Sequence, residues 1–203
     1  MSMGKRQALA EFHRGSILAA AERLFSERGV DRTTMDNIAR EAEYSKATLY
    51  VYFQSKEEIV GAILLNGLIM LKKRVHQAIE KHEGWPAAYN GVCRAILDFY
   101  KENPSAYEAV MGGNYTGAGK AKTEQDIRRV TEEFCQELAD FLAKGIPAGE
   151  NQMGTVIFFW ASISGMIHMA EHGEAFLMSQ TGKGREEFLE DGFQMILRAI
   201  EGK

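Results

Sequence analysis

The sequence predicts an all-α protein, with a three-helix head of the helix-turn-helix kind and a larger helical body behind it, about nine helices in all. Three observations predict it. Apolar residues recur at three- and four-residue spacing along almost the whole chain, and no run alternates apolar with polar residues as a half-buried strand would. Cap residues and Gly or Pro stops punctuate the chain at helix-length intervals. Only three prolines occur in 203 residues, so long helices are permitted.

The first helix is expected over Gln7 to Arg28, with Ile17, Leu18, Ala21, Leu24 and Phe25 on one face and Gly29 as its stop. Thr33 is the expected cap of helix two, with Asp36 three residues on as an acidic capping box. That helix runs to about Ala42, and Glu43-Tyr44 makes the turn. Ser45 caps a short third helix, Lys46 to Tyr52. Ser55 and Glu58 form an S-x-x-E box that opens a long helix to about Lys81. Gly84-Trp85-Pro86 starts the next, expected over Ala87 to Glu102, and Asn103-Pro104 ends it. A short helix reaches Met111, and a Gly-rich loop follows from Gly112 to Gly119. Helices over Thr123 to Lys144, Glu150 to Glu171 and Arg185 to Glu201 complete the chain, with a stop at Gly145-Ile146-Pro147.

Composition excludes a disulfide scaffold, a collagen or a disordered chain: 45% of residues are hydrophobic and 26% charged. Cys93 and Cys135 lie far apart and read as free thiols in a reducing compartment. No apolar core follows the basic residues near the N-terminus, as a signal peptide requires. The longest apolar run, Val156 to Ala170, is interrupted by Ser162, Ser164, Gly165 and His168 and is expected to be too short to span a bilayer. A cytoplasmic protein without a membrane partner is expected. Net charge is −4, unevenly spread. Residues 1–56 hold nine Lys/Arg against seven Asp/Glu, and the remainder fifteen against twenty-one. A basic head on an acidic body suits local contact with nucleic acid.

Ile38, Ala39, Ala42 and Leu49 let helices two and three cross closely, as in a helix-turn-helix whose later helix enters the major groove. Helix three carries Ser45, Lys46, Thr48, Tyr50 and Tyr52 and no acid, which suits a surface facing phosphates. Thr33-Thr34, Ile38-Ala39 and the string S-K-A-T-L-Y-V-Y-F-Q-S-K-E-E from Ser45 to Glu58 resemble the tetracycline-repressor (TetR) family of bacterial regulators. The resemblance runs from Ile17 to Ile59. It implies a head over residues 1–56, an effector-binding and dimerisation domain over 57–203, and a palindromic operator of double-stranded DNA. It also implies a homodimer and a partly apolar small-molecule effector that releases a repressor.

Thr34 adds a hydroxyl to the free N–H groups at the start of helix two. Tyr50 and Tyr52 donate phenol hydroxyls to phosphate, and Lys56 supplies charge. Lys46 reads guanine O6 and N7, Ala47 touches a thymine methyl, and Thr48 serves either purpose. Arg14 and the Lys5-Arg6 pair are further candidates for phosphate or the minor groove. Leu49 and Phe53 pack inward. Two departures from the family pattern bear on affinity and operator sequence: Glu43 where glycine is usual, and Val51 where a larger or basic residue is common. If position 43 needs positive φ, glutamate strains it.

The last helices are the apolar ones. Val156, Ile163, Ile167, Phe188, Phe193 and Ile196 are expected at a two-fold four-helix interface. Phe99, Tyr100, Tyr107, Met111, Tyr115, Phe134, Phe141, Trp160 and His168 are candidates to line an effector pocket, on aromatic and Met content.

Competing readings are a helical ligand-binding or adaptor dimer that does not need DNA, and, more distantly, a zinc hydrolase. The latter rests on His168, Glu171 and His172 in an H-x-x-E-H pattern. No third ligand is evident, so no metal, cofactor or catalytic residue is expected. Gly112 to Lys120 echoes a phosphate-binding loop, but Ala121 stands where the magnesium-holding hydroxyl belongs.

Overall fold

A computed structural model describes residues 3–111, 121–145 and 151–201. The Gly-rich run 112–120, with the candidate Tyr115, and the stop at Ile146-Pro147 lie outside the described residues. Ten helices and no strand occur among those described: α1 (Met3–Arg28), α2 (Met35–Glu41), α3 (Lys46–Tyr52), α4 (Lys56–Lys81), α5 (Trp85–Glu102), α6 (Pro104–Met111), α7 (Ala121–Leu142), α8 (Gln152–His172), α9 (Glu174–Thr181) and α10 (Arg185–Ile200).

The helix missing from the expected nine is α9. Its bounding glycines, Gly173 and Gly182, make no side-chain cap, and only Leu177 is buried on it, so neither capping nor apolar periodicity announces it. Helix α1 also begins earlier than expected, at Met3. Gly29 ends α1 as anticipated, at φ 82°.

The cap of α2 is Thr34, not Thr33. Thr34 Oγ1 accepts the backbone N–H of Asn37 at 3.2 Å, and Asn37 Oδ1 in turn accepts the Thr34 backbone N–H at 3.1 Å. Thr33 is buried instead, its hydroxyl donating to the Gly29 carbonyl at 2.9 Å. Asn37 completes the box because it reaches N3, where Asp36 sits one residue short.

Two compact units emerge from the packing. One comprises Met1–Met70 with Tyr100–Val130, the other Leu71–Phe99 with Thr131–Lys203. In the first, Ile17, Ala20, Ala21 and Leu24 of α1 are buried, as are Ile38, Ala39, Leu49 and Phe53. Gly67 of α4 lets α6 come close: a Cβ there would stand 3.1 Å from Ala106 Cβ. The Ser105 hydroxyl donates to the Glu22 carbonyl at 3.0 Å, tying α6 to α1.

In the second unit α8 packs along α10, burying Val156, Phe159, Ile163 and Ile167 with Leu189, Phe193 and Leu197. Trp85 stacks on Phe141 and donates its indole N–H to the Phe141 carbonyl at 3.0 Å. Lys72 meets Glu133 at 2.7 Å and His76 meets Glu137 at 2.6 Å, joining α4 to α7. Both cysteines are free, and Cys93 is buried. Burial pushes the Cys93 thiol up to about 12, so it behaves as a small apolar residue.

The apolar run Val156 to Ala170, expected to be too short to span a bilayer, lies inside the longer helix α8, which Asn151 caps and which has 21 residues. By length and composition alone it is long and apolar enough to cross a membrane. Five of its residues are nonetheless buried.

Candidate nucleic-acid interface

Local capping builds the head. Ser45 Oγ accepts the Thr48 backbone N–H at 3.0 Å and starts α3, with the Ser45 and Thr48 hydroxyls 2.8 Å apart. Leu49 and Phe53, four residues apart, are fully buried and fix the rotation of α3. The opposite face is then Lys46, Ala47, Tyr50 and Val51, all exposed. Val51 is the most open of them at 74%, yet the sequence reading left it out of the contact set. Its four-residue spacing from Ala47 is the signal that places it there.

Lys46 Nζ lies 2.8 Å from Asp36 Oδ1, with both side chains exposed. That hydrogen bond, and the carboxylate charge behind it, raise the lysine pKa. Thr34 is exposed, but its hydroxyl already donates to Asn37 Oδ1 at 2.9 Å. Lys56, half-buried, donates to the Val30 carbonyl at 2.8 Å, using one of three ammonium donors. Tyr50 is 37% exposed, and Gln54 caps its carbonyl at 2.6 Å.

Tyr52 is half-buried, its ring 5.5 Å from that of His13. His13 Nδ1 in turn lies 2.6 Å from the Tyr44 hydroxyl. Arg14 donates to the Tyr52 carbonyl at 2.8 Å and lies 4.2 Å over the Phe53 ring. It therefore clamps α1 to the end of α3, with further guanidinium donors not used by that bond. Lys5 and Arg6 sit exposed on the first turns of α1.

The turn between α2 and α3 contains the one non-glycine residue with positive φ among those described: Glu43, at 60°. Its conformation is the one that glycine adopts without strain.

Candidates in the body fare differently. Phe99, Tyr107, Phe134 and Phe141 are buried, Tyr100, Met111 and Trp160 half-buried, and His168 exposed. They largely fill one another's space: Tyr100 meets Tyr107 edge-on at 4.9 Å, Phe134 meets Trp160 at 5.7 Å, and Arg74 covers Phe99 at 5.8 Å. Three surface cavities stand out among the described residues, and Phe141 alone of the expected set borders one. In the described residues these side chains pack mainly against one another.

The expected interface set also divides. Val156, Ile163, Ile167 and Phe193 are buried by their own chain and have no surface to offer a partner, while Phe188 and Ile196 are half-buried. What α8 leaves exposed is a different stripe: Met153, Ile157, Ala161, Gly165 and Met169, in four-residue steps, with Phe158 beside it.

His168 and His172 stack at 4.4 Å, and His172 Nδ1 is 3.1 Å from the His168 carbonyl. Glu171 is held by Arg185 at 2.8 Å. No group of three His, Cys, Asp or Glu able to hold a metal occurs among the described residues.

Two family models match the chain. Residues 17–63 match the model described as bacterial regulatory proteins, tetR family, and residues 90–195 match the tetracyclin repressor-like C-terminal domain. Among curated relatives, the HTH-type transcriptional regulator YhgD of Bacillus subtilis is 34% identical over 133 residues, covering 66% of this chain and 69% of its own. Nucleoid occlusion factor SlmA of Pasteurella multocida is 29% identical over 107 residues. The match covers 53% of this chain and 54% of SlmA, so the chain spans only about half of that relative. The solved regulator PfmR of Thermus thermophilus shares the fold at a TM-score of 0.69 and 22% identity, covering 90% of this chain and 97% of that one. AibR, solved with isovaleryl coenzyme A and operator DNA, shares it at 0.67 and 18%, with 90% and 97% covered.

Proposed function

Because this chain belongs to the TetR family of bacterial regulatory proteins, we propose that it is a homodimeric, sequence-specific DNA-binding transcriptional regulator, a repressor released from a palindromic operator by a small-molecule effector. The observation that carries this reading is the outward face of α3, where Lys46, Ala47 and Tyr50 stand exposed on a helix whose other side is locked by Leu49 and Phe53. Such a helix offers base-reading groups without reorganisation.

In this proposal Lys46 and Ala47 meet base edges, with Val51 added to them. Thr48 and Ser45 hold the start of α3 and contact the backbone. Thr34, Tyr50 and Lys56 set register on phosphates, and Tyr52 contributes its hydroxyl from a ring packed on His13. The functional division falls after residue 56. A regulator of this kind acts where the DNA is, in the cytoplasm, and its chemistry is binding, not catalysis.

Dimerisation is assigned to the exposed stripe of α8. Ala161 and Gly165 at its centre permit close helix approach, and Ile157 and Met169 flank them with apolar surface. Two copies would then present two α3 helices to successive turns of DNA. The effector must favour one pose of the heads over the other, or it shifts nothing.

Selection of duplexes from a random pool, at stated salt, tests the reading. A palindromic consensus is expected, lost in the double variant Tyr50→Ala, Lys56→Ala while the dimer persists. Enrichment that survives the double change overturns the contact set. A folded dimer that enriches nothing favours the adaptor reading.

A further inference from the structure

The first unit contains a cavity that neither the head nor the proposed dimer surface uses. It measures about 400 Å³ and opens between α1, α4 and α6. Phe25, Val30, Val60, Ile63 and Ala109 give it apolar walls, and Glu108 stands at its edge. Ser26, Pro104 and Ser105 are shared with an adjoining cleft of about 340 Å³ that adds Glu22, Glu27 and Glu102. The two adjoin along the α1–α6 seam as a trough in two parts that share these three residues.

The charge of the trough is one-sided. Four carboxylates border it against a single cation, Arg23. Arg23 is already engaged by Glu41 at 3.0 Å. Glu22 is half-buried, and that burial raises its carboxyl above the ordinary value. A positive group beside it would relieve the cost of keeping it ionised. The apolar walls demand hydrocarbon, the rim demands positive charge, and the volume fits an organic molecule and not a bare ion.

We propose that this trough binds a small amphipathic organic cation, with its apolar body between Phe25 and Ile63 and its charge toward Glu108 and the α1 carboxylates. The site also has a route to the head. Val30 lines the cavity, its carbonyl accepts Lys56, and the segment after it leads to the Thr34 cap of α2. Occupancy therefore biases how the head meets DNA, a consequence that rests on the regulator reading above; the binding itself does not.

Calorimetric titration of the full chain with tetraphenylphosphonium, without DNA, tests the site. Saturable binding at one site per chain is expected. Glu108→Gln should weaken it about threefold, the usual scale of a solvent-exposed charge pair. Ala109→Trp should abolish it by filling the cavity, and Val60→Trp should repeat the result if the first variant melts early. Tetraphenylborate, with the same shape and opposite charge, should bind more weakly. Absence of saturable binding, binding unchanged in the filled variants, or equal affinity for the borate overturns the site. A second titration, with the selected operator duplex, should show altered DNA affinity when the cation is present, and no alteration in the filled variant. A bound cation that leaves operator affinity unchanged overturns the coupling. A chain that binds the cation but no DNA sinks the regulator reading and leaves the site standing.

Discussion

Lys46, the first residue of α3, is tied to Asp36 in the first turn of α2 by a 2.8 Å ion pair. The side chain best suited to read guanine is therefore shared with an acid in the free protein. DNA must displace that acid or tolerate it. Asp36→Asn is expected to raise affinity for operator and random duplex alike by about two- to fivefold, the worth of an exposed pair. Fluorescence anisotropy at two salt concentrations checks this. A loss of affinity would show instead that Asp36 aims the lysine.

Glu43, at φ 60°, pays a steric cost of about 1–2 kcal/mol for its left-handed backbone. Glycine removes that cost but loses about 0.5–1 kcal/mol in chain entropy. Glu43→Gly should therefore stabilise the protein by roughly 0.5–1 kcal/mol in urea unfolding. Glu43→Ala keeps the strained Cβ and should give no such gain.

The two faces of α8 should respond differently to substitution. Ala161→Glu, on the exposed stripe, is expected to yield folded monomers in sedimentation, with an unchanged helical signal. Ile163→Ala, on the fully buried face, should cost about 2–5 kcal/mol of stability by opening a cavity. If Ala161→Glu remains dimeric, the interface lies elsewhere.

His76 faces Glu137 at 2.6 Å and Glu80 at 3.3 Å. The hydrogen bond to Glu137 is the main cause of its raised pKa, opposed weakly by desolvation and Lys72. A folded pKa above the unfolded one stabilises fully below the unfolded value and loses that contribution as pH rises through the folded value. Unfolding midpoints should thus decline as pH rises above the unfolded value of 6.5, and His76→Gln should flatten that part of the profile. A slope unchanged by the substitution would assign it to other groups.

The head was legible in the sequence because its signals are local. Ser45 reaches Thr48, Leu49 faces inward with Phe53, and Gly29 ends a helix, all within a few residues. The same locality misled at Thr33, since two adjacent threonines offer the same hydroxyl and only burial separates them. In the body, periodicity identified apolar faces without saying what covers them. Ile163 and Ile157 are equally apolar, yet one packs against its own chain and the other meets solvent. Aromatic content likewise did not distinguish Phe134, which fills space, from Phe25, which borders it. The Arg14 clamp was not legible because its partner, the Tyr52 carbonyl, is a main-chain atom with no signature in side-chain identity.

The conformation at Glu43 has a consequence for how such a regulator changes over generations. A glutamate codon becomes a glycine codon by replacing a single base. The strained and relaxed turns are therefore immediate neighbours in mutation, and the step between them alters backbone strain and surface charge at one place. A lineage carrying this chain can therefore relax this turn and remove its charge in one step, with no redesign of the helices on either side.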